Sequence, residues 1–118
     1  MSVKPIVHFE IMGADGAALK DFYTKLFDWK TEAVEGFNEY HMVDDDGVGI
    51  GGAVGQGSEE MPNYLTLYIQ VPDIDAHLER VNEGGGKTVM PRTEIPDVVT
   101  FALFADPAGN IVGLTEGE

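Results

Sequence analysis

The sequence predicts an α+β fold built from two β-α-β-β-β modules in one pseudosymmetric domain. Mixed sheets curl into a cup, and the helices cover the outer faces. Three observations carry this. The closing stretch Phe101–Leu114, FALFADPAGNIVGL, reads as two strands joined by a turn. Phe37–Val54, FNEYHMVDDDGVGIGGAV, repeats its pattern, with Asp44 and Gly47 standing where the later hairpin has Asp106 and Gly109. A strand-then-helix start also occurs twice, 58 residues apart, with Val7 matching Leu65 and Ile11 matching Ile69. A period near 60 residues is too long for a solenoid repeat and suits a duplicated domain.

Taken in order, Ile6–Met12 alternates, with Val7, Phe9 and Ile11 on one face and Ile6, His8 and Glu10 on the other. Leu19, Phe22, Tyr23, Leu26 and Phe27 follow helical spacing, and Asp15 is positioned as their N-cap. A short strand runs from Trp29 to about Val34, and further strand-sized pieces continue to Val54. Residues 55–63, GQGSEEMPN, have the polar, turn-forming composition of a linker. In Tyr64–Val71, Leu65, Leu67, Ile69 and Val71 form an apolar face opposite Tyr64, Thr66, Tyr68 and Gln70. Asp73–Glu83 reads as a helix with Ile74, Leu78 and Val81 inward, stopped by Gly84-Gly85-Gly86. Lys87–Ile95 is a strand interrupted by Pro91. In the final turn Pro107 presets its φ, Gly109 accepts positive φ, and Asp106 and Asn110 bond nearby backbone. The whole is expected to be one domain over 1–118, with modules at about 5–54 and 64–116.

Composition narrows the function classes. Seven basic residues against 21 acidic ones give a net charge of −14, which repels phosphate backbones and argues against a nucleic-acid partner. The same acidity serves solubility and favours a cationic ligand over an anionic one. The absence of cysteine excludes disulfides, thiolate ligands and a cysteine nucleophile. No apolar run approaches the ~20 residues of a membrane span, and the first residues lack a signal-peptide pattern. A cytoplasmic protein with no membrane partner is the expectation.

The segments VHFEI, DFYTKLFDW, YLTLYIQVPDIDA and FALFADPAGNIVGL together resemble the vicinal-oxygen-chelate superfamily of glyoxalases, bleomycin-resistance proteins and extradiol dioxygenases. The resemblance covers nearly the whole chain. It implies a homodimer that binds a small molecule in the cup. In metal-using members it implies four ligands: a His in each half's first strand and a carboxylate in each half's last strand. Carried onto this chain, the first position is His8 and its counterpart is Thr66. The carboxylate positions fall on Gly51 and Gly113. One donor of four is too few where open zinc sites keep about three protein ligands. No cofactor is therefore expected, a divalent metal at His8 being the alternative.

The residues read the same way without the resemblance. His8 is either a metal ligand or general base, or a strand histidine bonded to a neighbour. Glu10 lies on its face two residues on, as an acid–base partner or a rim carboxylate. Tyr64, Thr66 and Tyr68 line one face of the matching strand, with Tyr68 in the place of Glu10. They orient a ligand by hydrogen bonds or form a dimer contact. His41 enters the cup or stays outside it, and His77 belongs to a helix surface. Gly49, Gly51, Gly52 and Gly113 mark close approach by a ligand or another backbone. Gly51 and Gly113, at both expected carboxylate positions, remove side chains from the cup floor, which favours a binding cavity over a chelate, a β-bulge or tight chain crossing being the competing explanation. The leading expectation is a metal-independent small-molecule binder with His8, Glu10, Tyr64, Thr66, Tyr68, Gly51 and Gly113 around the ligand. The alternatives are a metal-dependent lyase, isomerase or dioxygenase using His8 with Glu10 or His41, and a non-catalytic scaffold or regulatory subunit.

Overall fold

A computed structural model describes residues 3–117. The elements run β1 (Ile6–Gly13), α1 (Gly16–Phe27), β2 (Thr31–Ala33), β3 (Tyr40–Val43), β4 (Gly52–Gln56), β5 (Tyr64–Val71), α2 (Ile74–Glu83), β6 (Lys87–Ile95), β7 (Val99–Ala105) and β8 (Ile111–Glu116). This is β-α-β-β-β written twice, an α+β fold with mixed sheets. Two compact units divide it: a first unit of residues 7–66, and a second of residues 3–6 with 67–117. Both use one strand order. In the first, β2-β3-β4-β1 run antiparallel except for the parallel β4–β1 pair. In the second, β6-β7-β8-β5 repeat this, with β8 and β5 parallel.

The helix starts are built by the same device. Asp15 Oδ1 accepts from Ala18 N–H, and Asp73 Oδ1 accepts from Ala76 N–H, each at 3.1 Å. The last strand then returns to the same helix. Gly16 N–H donates to Gln56 Oε1 at 2.8 Å, and Ile74 N–H donates to Glu116 Oε2 at 3.0 Å. These bonds satisfy donors that helix geometry leaves without intrahelical partners. Arg92 holds Glu116 from the other side, Nη2 to Oε1 at 2.7 Å. Together the two contacts pull the Glu116 carboxyl down to about 2.

These bonds also fix the internal alignment. Gly16 matches Ile74 and Gln56 matches Glu116, so the last strands correspond with an offset of 60 rather than the 62 read from the turns. Within the sheets, Glu10 lies opposite Ala53 and Tyr68 lies opposite Gly113. The counterpart of Gly113 is therefore Ala53, and Gly51 stands just outside β4. The physical reason is loop length: residues 44–51 join β3 to β4, whereas the shorter Asp106–Asn110 turn joins β7 to β8. In that shorter turn Asp106 Oδ1 accepts from both Ala108 and Asn110 N–H, and Gly109 takes φ 94°.

The interiors differ. Under α2, Val71, Ile74, Leu78, Ala102 and Leu114 form an aliphatic cluster that Ile69 and Phe104 extend. It stops there: Leu65 and Leu67, expected on the covered face, are 68% and 41% exposed, while Thr66 and Tyr68 are buried. In the first unit α1 meets β4 at its first turn, where Gly16 lies directly over the Gly55 and Gln56 backbone. Further along, Trp29 collects Phe9, Tyr23 and Phe27 with ring centroids 5.5–5.6 Å away. Phe22, Leu26 and Phe27, expected inward, are each more than half exposed. In β6 the ladder slips on both sides of Met90, next to Pro91, as a proline that cannot donate requires.

Candidate functional site

The site is organised around Glu10, which is 7% exposed in the middle of β1. Strand alternation places His8, Glu10 and Met12 on one face and Phe9 and Ile11 on the other. Tyr40 reaches this face from two strands away. Met12 pairs with Gly55, and Gly55 pairs with Tyr40, so Tyr40 starts about 10 Å from β1 at usual strand spacing. Its ring crosses β4 because the floor there is low. Gly55 has no side chain, a Cβ at that position would lie 3.2 Å from Tyr40 Cδ1, and the next residue on that face is Ala53.

A chain of hydrogen bonds results. Tyr40 O–H donates to Glu10 Oε2 at 2.7 Å, and Tyr64 O–H donates to Glu10 Oε1 at 3.2 Å. His8 Nε2 lies 3.1 Å from the Tyr40 oxygen. Because the Tyr40 proton is directed at Glu10, the Tyr40 oxygen accepts from His8 Nε2–H. In the neutral imidazole this leaves Nδ1 as the acceptor nitrogen. Burial pushes the His8 pKa below its ordinary 6.5, and the Glu10 charge opposes this only in part. The Tyr64 phenol is pushed far above its ordinary 10, first by burial and then by the Glu10 charge and hydrogen bond. The arrangement offers a neutral imidazole, oriented through a phenol by a buried carboxylate, with both phenols protonated.

His8 also lines an open cavity of about 690 Å³ with Met42, Val43, Gly51 and Gly52, and Glu32, Asp44 and Asp45 stand at its wall. This size suits a small organic ligand.

Of the residues expected at the site, His8, Glu10 and Tyr64 are brought together, and Gly51 lines the cavity beside His8. Thr66 is buried two residues along β5 from Tyr64, on the same side of the strand. His41 stands one residue from Tyr40 and so faces the opposite side of β3, where it meets Glu39 at 3.2 Å. His77 is on α2, its Nδ1 3.0 Å from the Asp73 carbonyl. The expectation that glycine opens the floor fails at Gly113, and Gly52 is likewise filled. A Cβ at Gly113 would fall 2.4 Å from the Tyr68 ring, and one at Gly52 2.3 Å from the Phe9 ring. The chain's own aromatics occupy that space. Tyr40 was missed by sequence reasoning, and only the β3-β4-β1 strand order shows that it shares a face with Glu10.

The metal implied by the resemblance does not fit this donor set. A carboxylate at 113 would have to displace Tyr68, and Ala53 at the matching place supplies no donor. Both Glu10 oxygens already accept phenol protons. Among the described residues no group of three or more His, Asp or Glu side chains is arranged to hold a metal ion.

Comparison with known proteins agrees with the fold and the duplication. Residues 5–114 match the family model of the Glyoxalase/Bleomycin resistance protein/Dioxygenase superfamily. CFP32 of Mycobacterium tuberculosis, provisionally named a glyoxylase, is 32% identical over 111 residues, covering 89% of this chain and 42% of the relative. The anthracycline biosynthesis protein DnrV of Streptomyces peucetius is 32% identical over 117 residues, covering 86% of this chain and 42% of the relative. The chain thus spans well under half the length of these curated relatives. Among solved structures, methylmalonyl-CoA epimerase from M. tuberculosis superposes with a TM-score of 0.71 at 15% identity, covering 100% of this chain and 93% of the other. The match over nearly the whole length, on the duplicated fold just described, means that this chain belongs to the Glyoxalase/Bleomycin resistance protein/Dioxygenase superfamily.

Proposed function

We propose that the chain binds a small organic molecule against His8 by hydrogen bonding rather than by metal chelation. The observation that carries this reading is the chain from His8 through Tyr40 to buried Glu10. It fixes an imidazole at the wall of a ligand-sized cavity and uses the neighbouring carboxylate to do so. Two Streptomyces relatives are named for anthracycline biosynthesis, so an anthracycline carrying an amino sugar is the natural first probe. Its fluorescence is titrated with protein in the presence of EDTA. Saturable binding that survives EDTA and weakens about tenfold in His8→Ala is the expected result, since one hydrogen bond to a buried group is worth about 1–2 kcal/mol. Binding that EDTA abolishes, or that His8→Ala leaves unchanged, overturns the reading.

The same reading pairs the chain with a second copy. Its support is the greater length of the relatives, of which this chain spans 42%. Light scattering at micromolar concentration distinguishes a dimer from a monomer. A second functional reading, proton transfer by His8, is favoured by the neutral imidazole itself. It requires a turnover rate that rises with pH through the His8 titration.

A further inference from the structure

A second cavity, of about 270 Å³, adjoins the His8 cavity and shares Lys30, Val43, Asp44 and Asp45 with it, while its own Phe9 wall faces away from His8 on β1. Phe9, Phe27 and Trp29 line it, with rings inclined to one another: Phe27 is tilted 31° and Phe9 47° to the indole. Asp28, Asp44, Asp45 and Asp46 also stand on its wall, against the one base Lys30. Aromatic faces carry a negative quadrupole that attracts alkylated ammonium groups, and surrounding carboxylates strengthen the field. The volume is below the usual range for drug-sized ligands and suits a small head group.

The duplication supplies an internal control. Phe9 corresponds to Leu67 in the second unit. Asp28 caps α1 and is followed by Trp29-Lys30, whereas Gly84 caps α2 and is followed by Gly85-Gly86. The acidic wall comes from the 44–51 connection, which exceeds its counterpart at 106–110 in length. The second unit forms the same strands and helix with none of these features, so the fold itself does not demand them. Nor are they sealed as core: Phe27 is 53% and Val48 79% exposed at the cavity's edge.

We propose that the cavity formed by Phe9, Phe27 and Trp29 beneath the Asp44–Asp46 loop binds a small quaternary ammonium group, on the side of β1 that faces away from His8. Trp29 is the chain's one tryptophan, so its emission reports on this cavity directly. The probes are choline and tetramethylammonium, with 3,3-dimethylbutan-1-ol as the uncharged isostere of choline. Each is titrated by tryptophan emission and by calorimetry. Both cations are expected to give a saturable change, with the alcohol at least tenfold weaker. Phe27→Ala, checked for folding by circular dichroism, is expected to weaken choline binding about tenfold. Asp46→Asn, on the exposed loop and at the wall of this cavity but not of the His8 cavity, is expected to weaken it about threefold and to flatten its salt dependence. Equal binding of the alcohol overturns the proposal, as does the absence of saturation by either cation in both readouts. Full affinity in both variants overturns it too.

Discussion

Asp15 and Asp73 cap their helices through the same bond, and Gln56 and Glu116 reach the same backbone position from the same strand. Beneath these shared caps the two units are filled differently. The second has an aliphatic core, with Val71 and Ile74 at 1% and 0% exposure, and it folds the Tyr68 ring onto Gly113. The first buries a carboxylate, Glu10, hangs two phenols on it and a histidine on one of those phenols, and leaves much of the outer face of α1 apolar and exposed. Two copies of one plan therefore separate what the fold requires from what it does not. Capping bonds and strand order recur in both. The polar chain and the aromatic cavity occur in one, and those are where function is sought.

Helix packing should show the largest asymmetry. Ile74→Ala removes a fully buried side chain from the α2 core and is expected to lower stability by about 2–5 kcal/mol in urea unfolding. Leu26→Ala, on the exposed side of α1, is expected to change stability by no more than about 0.5 kcal/mol. Comparable losses at the two sites would mean that α1 is covered and buried in solution.

The next test replaces the missing carboxylate. Gly113→Glu places a side chain into the Tyr68 ring and is expected to destabilise by about 1–3 kcal/mol through overpacking. Adding Tyr68→Ala should recover part of that loss, giving a favourable coupling in a double-mutant cycle. Additive effects would show that the ring does not occupy the carboxylate's place.

Within the first unit, Tyr40→Phe leaves Glu10 short of a donor and is expected to lower stability by about 1–3 kcal/mol. The smallest effect concerns His8 and pH. Its folded pKa lies below the unfolded 6.5, so the fold favours the neutral ring. The stability this gives is complete above 6.5 and is lost as pH falls through 6.5 towards the folded value. Glu10→Gln removes the charge that opposes the shift, so the His8 midpoint in an NMR titration should fall further. A midpoint that rises instead would contradict the burial-dominated account.

Much of the fold was legible in the sequence because capping residues, turn residues and alternation are local. Asp15 and the Asp106–Asn110 turn behave as read, and Asp73, read as the first residue of its helix, is the N-cap just before it. Register was not legible, since it depends on loop length: reading the two hairpins from their turns aligned Gly51 with Gly113, where strand pairing aligns Ala53. The same limit hid Tyr40. Its role depends on Gly55 and Ala53 keeping β4 low beneath its ring, a relation between three strands that periodicity within any one of them does not express. His8, Glu10 and Tyr64 were accessible because alternation alone sets their faces.

The central proposal is that hydrogen bonds around Glu10, rather than a metal ion, organise the ligand site at His8. Elemental analysis after incubation with Mn, Fe, Ni and Zn, on the untagged chain beside His8→Ala, tests it most directly. The account predicts no stoichiometric metal in the wild-type chain and no difference between the two proteins. About one metal per chain in the wild type, lost in His8→Ala, would contradict it.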